Sequence, residues 1–205
     1  MSDVIVMGSG ATPTLRHGRL IYALDATGSC APTWNIARDL QAKMFREATS
    51  IGRLDMQLVF YGGDTCRASK WVSSGDELAA LMNKISCDPG MTQIERILKH
   101  ILRENEKGAV QSAVFIGDAC EEAVDPLAGL AGALGNAGVP LNVFQEGNDE
   151  TVRRVFRMLA LRSGGSYYPF NTKSESAIHQ LSEQLNAAAR LAVSDAPAIT
   201  HRKEK

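Results

Sequence analysis

Short apolar runs alternate with amphipathic segments along most of this sequence, and this alternation restricts the fold more than any other feature. The runs have the length of strands that are covered on both faces, and Leu20 to Leu24 is the clearest of them. They lie at residues 20–24, 56–61, 113–116, 141–144 and 167–170. Strands that alternate with helices predict an α/β fold with an open, mostly parallel, doubly wound (Rossmann-like) sheet and helices on both faces.

The remaining elements follow from periodicity and from residues that start or stop helices. Residues 66–72 alternate and carry Arg67 and Lys70, which predicts one antiparallel edge strand joined to the second strand by a hairpin. Asp125 is predicted to cap one helix, and Pro126 to be its first residue. The helices are predicted at about residues 32–48, 78–85, 94–108, 125–138, 152–164 and 178–185.

Length and charge set further limits. A chain of 205 residues suits one domain, predicted at residues 19–193, with a poorly placed leader at 1–18 and a polar, disordered tail at 194–205. The net charge of -1 argues against broad binding of nucleic acid or of an anionic membrane. No apolar run approaches the ~18 residues of a membrane span.

Cysteine spacing and the first residues favour a cytoplasmic protein. The four cysteines, at positions 30, 66, 87 and 120, form no C-x-x-C pair, so they indicate reduced thiols rather than a zinc site. The start of the sequence has no basic region before its short apolar patch, which argues against a secretory signal. Small buried side chains are the default interpretation of Cys30, Cys87 and Cys120.

A polar loop follows the first predicted strand. Asp25, Thr27 and Ser29 are hard oxygen ligands at alternate positions, and Gly28 lets the backbone fold tightly between them. A loop with this content can wrap part of a divalent cation, and Mg²⁺ prefers near-octahedral oxygen coordination. The sequence therefore predicts the first part of a metal site at the end of this strand.

Two further oxygen ligands are expected at the same edge of the sheet. Right-handed crossovers place every strand-to-helix loop at one edge, and ligands bind where the strand order reverses. If the order is Rossmann-like, the first strand and the strand at 113–116 are neighbours, and Asp25 and Asp118 face each other across the crevice. The loop before the helix at 94–108 adds Thr92.

Each candidate ligand also has a structural interpretation. Asp25 would then cap the next helix or brace its loop, and Thr92 would cap its own helix. Glu121 and Glu122 are interpreted as a solvated acidic cluster at the start of a helix, with contact to the metal site as the alternative. Asp64, which follows two glycines, is interpreted as a turn residue.

Taken together, the three segments resemble the metal-ion-dependent adhesion site of von Willebrand factor type A domains. The first motif of that family, Asp-x-Ser-x-Ser, stands here as Asp25-Ala26-Thr27-Gly28-Ser29. Its isolated threonine matches Thr92 in a glycine-containing loop before a helix, and its last aspartate matches Asp118 after the central strand. The resemblance runs from about residue 20 to residue 191. The departures are a threonine for the commoner serine at position 27, cysteine for a frequent methionine at position 30, and Gly117-Asp118-Ala119 for the usual Thr-Asp-Gly.

The resemblance implies a von Willebrand factor A-like (VWA-like) fold of a bacterial intracellular type, and a site built for binding rather than catalysis. It implies Mg²⁺ or Mn²⁺, and less favourably Ca²⁺, held by Asp25, Thr27, Ser29, Thr92 and Asp118. In the family, hydroxyls ligate the metal directly, carboxylates act through water, and a vacant position accepts an Asp or Glu of a partner protein. The expected function is a metal-dependent protein-binding module within an intracellular multiprotein assembly.

Two alternatives stay open on the sequence alone. A metal ion in the crevice would instead orient a phosphate in a phosphoryl-transfer or hydrolytic enzyme. Against this, the sequence has no Asp-x-Asp pair at Asp25, no G-x-x-x-x-G-K-S/T loop and no G-x-S-x-G elbow. The other alternative is a metal-free scaffold with the same fold, and the complete ligand set argues against it.

Overall fold

The computed structural model of the chain describes residues 17–28, 52–170 and 175–195. Ser29, Cys30, the predicted helix at 32–48, and most of the predicted leader and tail lie outside these residues. From residue 52 onward, the order of elements follows the predicted alternation of strands and helices.

The described strands form one sheet. They are β1 (His17–Asp25), β2 (Arg53–Gly62), β3 (Thr65–Ala68), β4 (Ser112–Gly117), β5 (Leu141–Glu146) and β6 (Tyr167–Phe170). Their order across the sheet is β3-β2-β1-β4-β5-β6. All neighbouring pairs are parallel except β2 and β3, which are antiparallel. This confirms the predicted mostly parallel, doubly wound sheet with one antiparallel edge strand, and it confirms that β1 and β4 are neighbours.

The described helices are α1 (Gly75–Met82), α2 (Ile94–Lys107), α3 (Val124–Asn136), α4 (Glu150–Ser163) and α5 (Glu175–Ser194). Helix α4 follows the cap Asp149, whose Oδ1 accepts hydrogen bonds from the N–H groups of Thr151 and Val152 at 2.7 and 3.0 Å. It ends at the predicted stop Gly164, which has a left-handed φ of 79°. Within the described residues, no helix has the length and apolar character needed to cross a membrane.

Two predicted boundaries are wrong. Helix α3 begins at Val124 after the extended residue Ala123, so Asp125 is not its cap and Pro126 is its third residue. Proline fits there because the N–H groups of the first turn have no partner within the helix. Strand β3 ends at Ala68 because the Ser69 hydroxyl, instead of a backbone carbonyl, accepts the N–H of Leu58 at 3.0 Å.

The sheet separates two apolar clusters, as expected for strands covered on both faces. Leu20, Tyr22 and Leu24 of β1 point into a cluster that also contains side chains of α1 and α5. Ile21 and Ala23 point to the other face, into a cluster with α2, α3 and α4. Alternate side chains of β1 thus pack against the helices on the two faces of the sheet.

Helix α5 packs closely over one face of β1. Gly18 of β1 lies against the backbone of α5, and a side-chain carbon on Gly18 would overlap the carbonyl oxygen of Ala192. Leu185 and Ala189 of α5 are fully buried in the same cluster as Leu20. The approach requires glycine at position 18, and it joins an early strand to a late helix.

Candidate metal centre

The two aspartates predicted to face each other lie at the ends of neighbouring parallel strands. Asp25 is the last residue of β1, and Asp118 comes directly after β4. Leu24 of β1 is paired with Ile116 of β4, so Asp25 lies beside Gly117, and Asp118 comes next. A side-chain carbon added to Gly117 would lie 3.5 Å from Cβ of Asp25. The negative charge of Asp118 is close enough to raise the pKa of Asp25. The carboxyl edge of the sheet therefore brings the two carboxylates together.

Asp25 is held in one orientation by hydrogen bonds from the side chain and the backbone of Thr27 and from Tyr61. Its side chain is buried, with only 2% of the residue surface exposed. Oδ1 accepts the backbone N–H of Thr27 at 2.7 Å, and Oδ2 accepts the hydroxyl of Tyr61 at 2.8 Å. A carboxylate has about four lone-pair sites, so Asp25 keeps the capacity to bind a further partner.

Tyr61 is a site residue that the sequence reasoning missed. It is the last residue but one of β2 and is directly paired with Asp25 across the two parallel strands. The sequence does show a tyrosine near the end of the strand that lies beside Asp25. Its contact with Asp25 can be recognised only when the register between β1 and β2 is known.

The surroundings of Asp25 disfavour its ionised form. Burial is the largest cause of its raised pKa, the Asp118 charge adds to it, and the hydrogen bonds from Thr27 and Tyr61 partly offset it. Among the described residues, no Lys, Arg or His forms an ion pair with Asp25. A cation bound here would supply the missing positive charge.

We expect Asp25→Asn to raise the free energy of unfolding of the metal-free protein at pH 7. A raised pKa means that the folded state binds the proton more tightly, so this stability is present in acid and is lost as pH rises through the folded-state pKa. Asparagine keeps an acceptor for Thr27 and has no charge to bury. Urea denaturation in chelator from pH 3 to pH 7 measures the difference in free energy of unfolding between the variant and the wild type. This difference should grow with pH, and a difference that is independent of pH would contradict the prediction.

The two described hydroxyl candidates, Thr27 and Thr92, are both buried. Oγ1 of Thr92 accepts the backbone N–H of Glu121 at 3.1 Å, and the N–H of Thr92 donates to the Glu121 carboxylate at 2.8 Å. Helix α2 starts after Gln93 and no side chain of that residue caps it. Thr92 is therefore not the helix cap, and its contacts join its loop to the segment after Asp118.

Glu122 has a role that the sequence interpretation did not foresee. It is half-buried, and its carboxylate accepts the N–H groups of Ile94 and Glu95 at the start of α2. Burial raises its pKa, and these two hydrogen bonds oppose the rise. The interpretation of Glu122 as part of a solvated cluster is wrong, because its side chain caps a helix that is distant in sequence. Glu121 is exposed, and its carboxylate accepts a hydrogen bond from Thr92.

Backbone hydrogen bonds join three loops at this edge. The N–H of Ala26 donates to the carbonyl of Tyr61 at 2.8 Å, and the carbonyl of Ala26 accepts the N–H of Asp88 at 2.9 Å. The N–H of Gly63 donates to the carbonyl of Asp88 at 3.1 Å. Gly90 lies against the backbone of Gly63, with no room for a side-chain carbon. These contacts fix the loop that carries Thr92 beside the loop that carries Asp25.

The donor chemistry fits a hard divalent cation. The described candidates are two carboxylates and two hydroxyls, all oxygen donors of the kind that Mg²⁺ accepts. Ser29, the fifth candidate, is outside the described residues. The described residues contain no group of three or more His, Cys, Asp or Glu side chains that could hold a metal, so a cation here would depend on the hydroxyls.

Cys66, Cys87 and Cys120 are half-buried free thiols whose pKa is raised by burial, which makes them poor ligands.

Solved structures give the fold a precedent, whereas the chain matches no family model and no curated protein. It is similar to BatB from Bacteroides thetaiotaomicron, with a TM-score of 0.65 and 17% identity over 84% of this chain and 99% of BatB. It is similar to the SpRpn10 VWA domain, with a TM-score of 0.65 and 12% identity over 82% of this chain and 94% of that domain.

A third similar structure contains a metal ion. It is proximal thread matrix protein 1 from the mussel byssus with a zinc-occupied MIDAS motif, with a TM-score of 0.63 and 14% identity over 89% of this chain and 47% of that chain. At these identities the likeness concerns the fold. Together with the strand order, it shows that the chain has the α/β fold of the von Willebrand factor type A domains.

Proposed function

We propose that this protein is a metal-dependent protein-binding module. A divalent cation at the carboxyl edge of the sheet would dock an Asp or Glu side chain of a partner protein. The observation that carries the proposal is the buried Asp25 carboxylate, which lies beside Asp118 and has no cationic partner among the described residues. A second carboxylate so close to a buried one disfavours the ionised form of both, and a bound cation would relieve this repulsion.

The proposed ligands are Asp25, Thr27, Ser29, Thr92 and Asp118, with Mg²⁺ or Mn²⁺ as the favoured ion and Ca²⁺ less favoured. Hydroxyl ligands are neutral, so the bound ion keeps net positive charge that attracts a further carboxylate. The hydrogen bonds of Asp25 to Thr27 and Tyr61 hold its oxygens in place before an ion arrives. The proposal includes the expectation of a cytoplasmic setting, which rests on the cysteine spacing, and of a multiprotein assembly, which rests on the resemblance to von Willebrand factor type A domains.

A partner has room to approach this edge. A cleft of about 450 Å³ opens beside Thr92, and its lining includes Met91, Gln93 and Arg96. Met91 is 64% exposed, so it offers apolar surface beside this polar site. An apolar side chain beside a charged site is typical of the contacts that surround a docked residue at a protein interface.

Calorimetric titration of chelator-treated protein with MgCl₂ and with MnCl₂ tests the proposal. We expect saturable binding in the wild type and at least ~100-fold weaker binding in Asp25→Ala, because even residues that only support a metal ligand typically change affinity by 10–100-fold. Asp64→Ala is the matched control, since Asp64 is an exposed aspartate in a turn at the same edge.

Absence of binding in the wild type, or equal binding in Asp25→Ala, would contradict the metal site. Thermal unfolding gives a second readout, because an ion at 100 times its dissociation constant adds ~2.7 kcal/mol to the stability of a folded protein. Hydrolysis of a phosphate ester that is lost in Asp25→Ala would favour the enzymatic alternative instead.

A further inference from the structure

A second cleft, beside α2, is lined by cations. It has a volume of about 370 Å³, and its cationic side chains are Arg67 of β3 and Arg96, Lys99 and Arg103 of α2. The three α2 residues are spaced by three and four positions, so they lie on one face of the helix. No carboxylate is among the described residues that line this cleft. Because the net charge of the chain is -1, this positive surface is a local feature.

The charges in this cleft are only partly compensated. Lys99 pairs with Glu95, and Arg96 donates to the side chain of Gln93 at 2.8 Å. Arg67 and Arg103 are both exposed, and the part of the chain that the structure describes offers neither side chain a hydrogen bond or an ion pair. The guanidinium groups of these two residues are therefore available to an anion from outside.

Two other polar residues of this cleft add no charge. His100 is half-buried, burial lowers its pKa, and its Nε2 lies 2.8 Å from the amide oxygen of Gln57. Burial raises the pKa of the Cys66 thiol, with Arg96 and Arg103 opposing the rise. The anion-attracting groups are thus the three arginines and the lysine.

The two clefts adjoin along α2, because both are lined by Arg96 and Lys99, and together they are called the α2 groove here. The first cleft reaches Thr92 at the candidate metal centre, and the second reaches Arg103. From Ile94 to Arg103 the helix rises by about 14 Å at ~1.5 Å per residue. An extended peptide covers that length with about four or five residues at ~3.3 Å each.

We infer that this groove binds an acidic peptide segment of the partner, about five residues long. One carboxylate of the segment would reach the metal ion, and the following carboxylates would pair with Arg96, Arg103 and Arg67. The planar fork of arginine suits carboxylates, which it binds through two parallel hydrogen bonds. The contact between the peptide and the metal ion rests on the proposed function. The pairing of the peptide with the arginines rests on the cationic cleft alone.

A peptide fits this groove better than a nucleic acid does. Asp64, Glu95 and Glu122 line the first cleft, between the metal centre and the arginines. The side chains of an extended peptide alternate in direction, so its carboxylates can turn away from these three groups. A nucleic-acid strand has a phosphate at every nucleotide, so it would be repelled there.

Fluorescence anisotropy with two labelled synthetic peptides tests this inference. One peptide has five consecutive glutamates, and the other has one glutamate and four glutamines. In Mg²⁺ buffer we expect the first to bind more tightly, and the double variant Arg67→Gln/Arg103→Gln to weaken its binding by about tenfold, since each exposed ion pair contributes a factor of roughly three to five. The double variant should bind the second peptide and Mg²⁺ as the wild type does.

The matched control is Arg154→Gln/Arg162→Gln, which removes two exposed arginines from α4. It should leave both affinities unchanged. Equal affinity of the two peptides, or five-glutamate binding that is unaffected in Arg67→Gln/Arg103→Gln, would overturn the inference while leaving the metal site in place. An oligothymidylate of equal charge that binds more tightly than the five-glutamate peptide would also overturn it.

Chelator and Asp25→Ala separate this inference from the proposed function. Five-glutamate binding that needs Arg67 and Arg103 but persists without Mg²⁺ supports the acidic-peptide groove and contradicts the metal-dependent module. Binding that needs both the arginines and the ion supports both.

Discussion

Replacing Phe115 with alanine is expected to lower the free energy of unfolding by about 3–5 kcal/mol, the usual cost of removing a buried aromatic ring. Phe115 lies in the central strand β4 and is almost completely buried. Its ring centroid is 5.5 Å from that of Phe156 in an edge-to-face contact and 6.4 Å from that of Tyr61. Urea denaturation followed by circular dichroism measures the loss.

Leu161→Ala is the control for this variant. Leu161 is a large apolar side chain on α4 that is 80% exposed, so we expect its removal to change stability by no more than ~0.5 kcal/mol. Similar losses in the two variants would mean that Phe115 is not part of a tightly packed core.

Phe115 also links the core to the candidate metal centre. Its ring packs near Tyr61, and the Tyr61 hydroxyl orients Asp25. Phe115→Leu keeps most of the core volume, so we expect it to remain folded while it binds Mg²⁺ more weakly than the wild type. An unchanged Mg²⁺ affinity would show that Tyr61 holds its position without this support.

The second large effect is expected for Gly90→Ala, which should lower stability by about 1–3 kcal/mol because it overpacks a rigid contact. A side-chain carbon at this position would overlap the carbonyl of Gly63 and lie 2.7 Å from its Cα. Backbone atoms cannot rotate away as a flexible side chain does, so one of the two loops must shift. The shift moves the loop that carries Thr92, and we therefore expect Mg²⁺ binding to weaken as well.

Gly129→Ala is the control for this substitution. Gly129 lies inside α3, and a side-chain carbon there would meet no atom within 4 Å. Alanine in a helix is more favourable than glycine by about 1 kcal/mol, so this variant should be more stable than the wild type and bind Mg²⁺ equally well. Normal stability and normal metal binding in Gly90→Ala would refute the close packing of the two loops.

The sequence predicted the parts of the fold that depend on repeated local signals. The apolar run from Leu20 to Leu24 identified a strand covered on both faces, and the alternation with helices identified the parallel sheet. A Rossmann-like strand order would make β1 and β4 neighbours, and the sheet has this order. The approach of Asp25 to Asp118 follows from this order of strands.

Contacts between distant segments were not predictable in the same way. Tyr61 meets Asp25 through the register of two strands, and a shift of one residue would have turned the tyrosine to the other face. Glu122 caps α2 from a different part of the chain, so the residues at the start of α2 do not indicate this cap. Asp125 failed as a cap because proline tolerates any of the first helical positions, which leaves the start of α3 undetermined by one or two residues.

The packing of α5 over Gly18 has a consequence for the order in which the chain folds. A ribosome makes β1 long before α5, so the part of β1 around Gly18 has no helix over it until the residues around Ala192 are synthesised. Contacts of such long sequence separation are made late and slow folding, because the intervening chain must lose entropy first. A carboxylate site that begins at the end of β1 therefore becomes rigid only when nearly all of the described chain has been made.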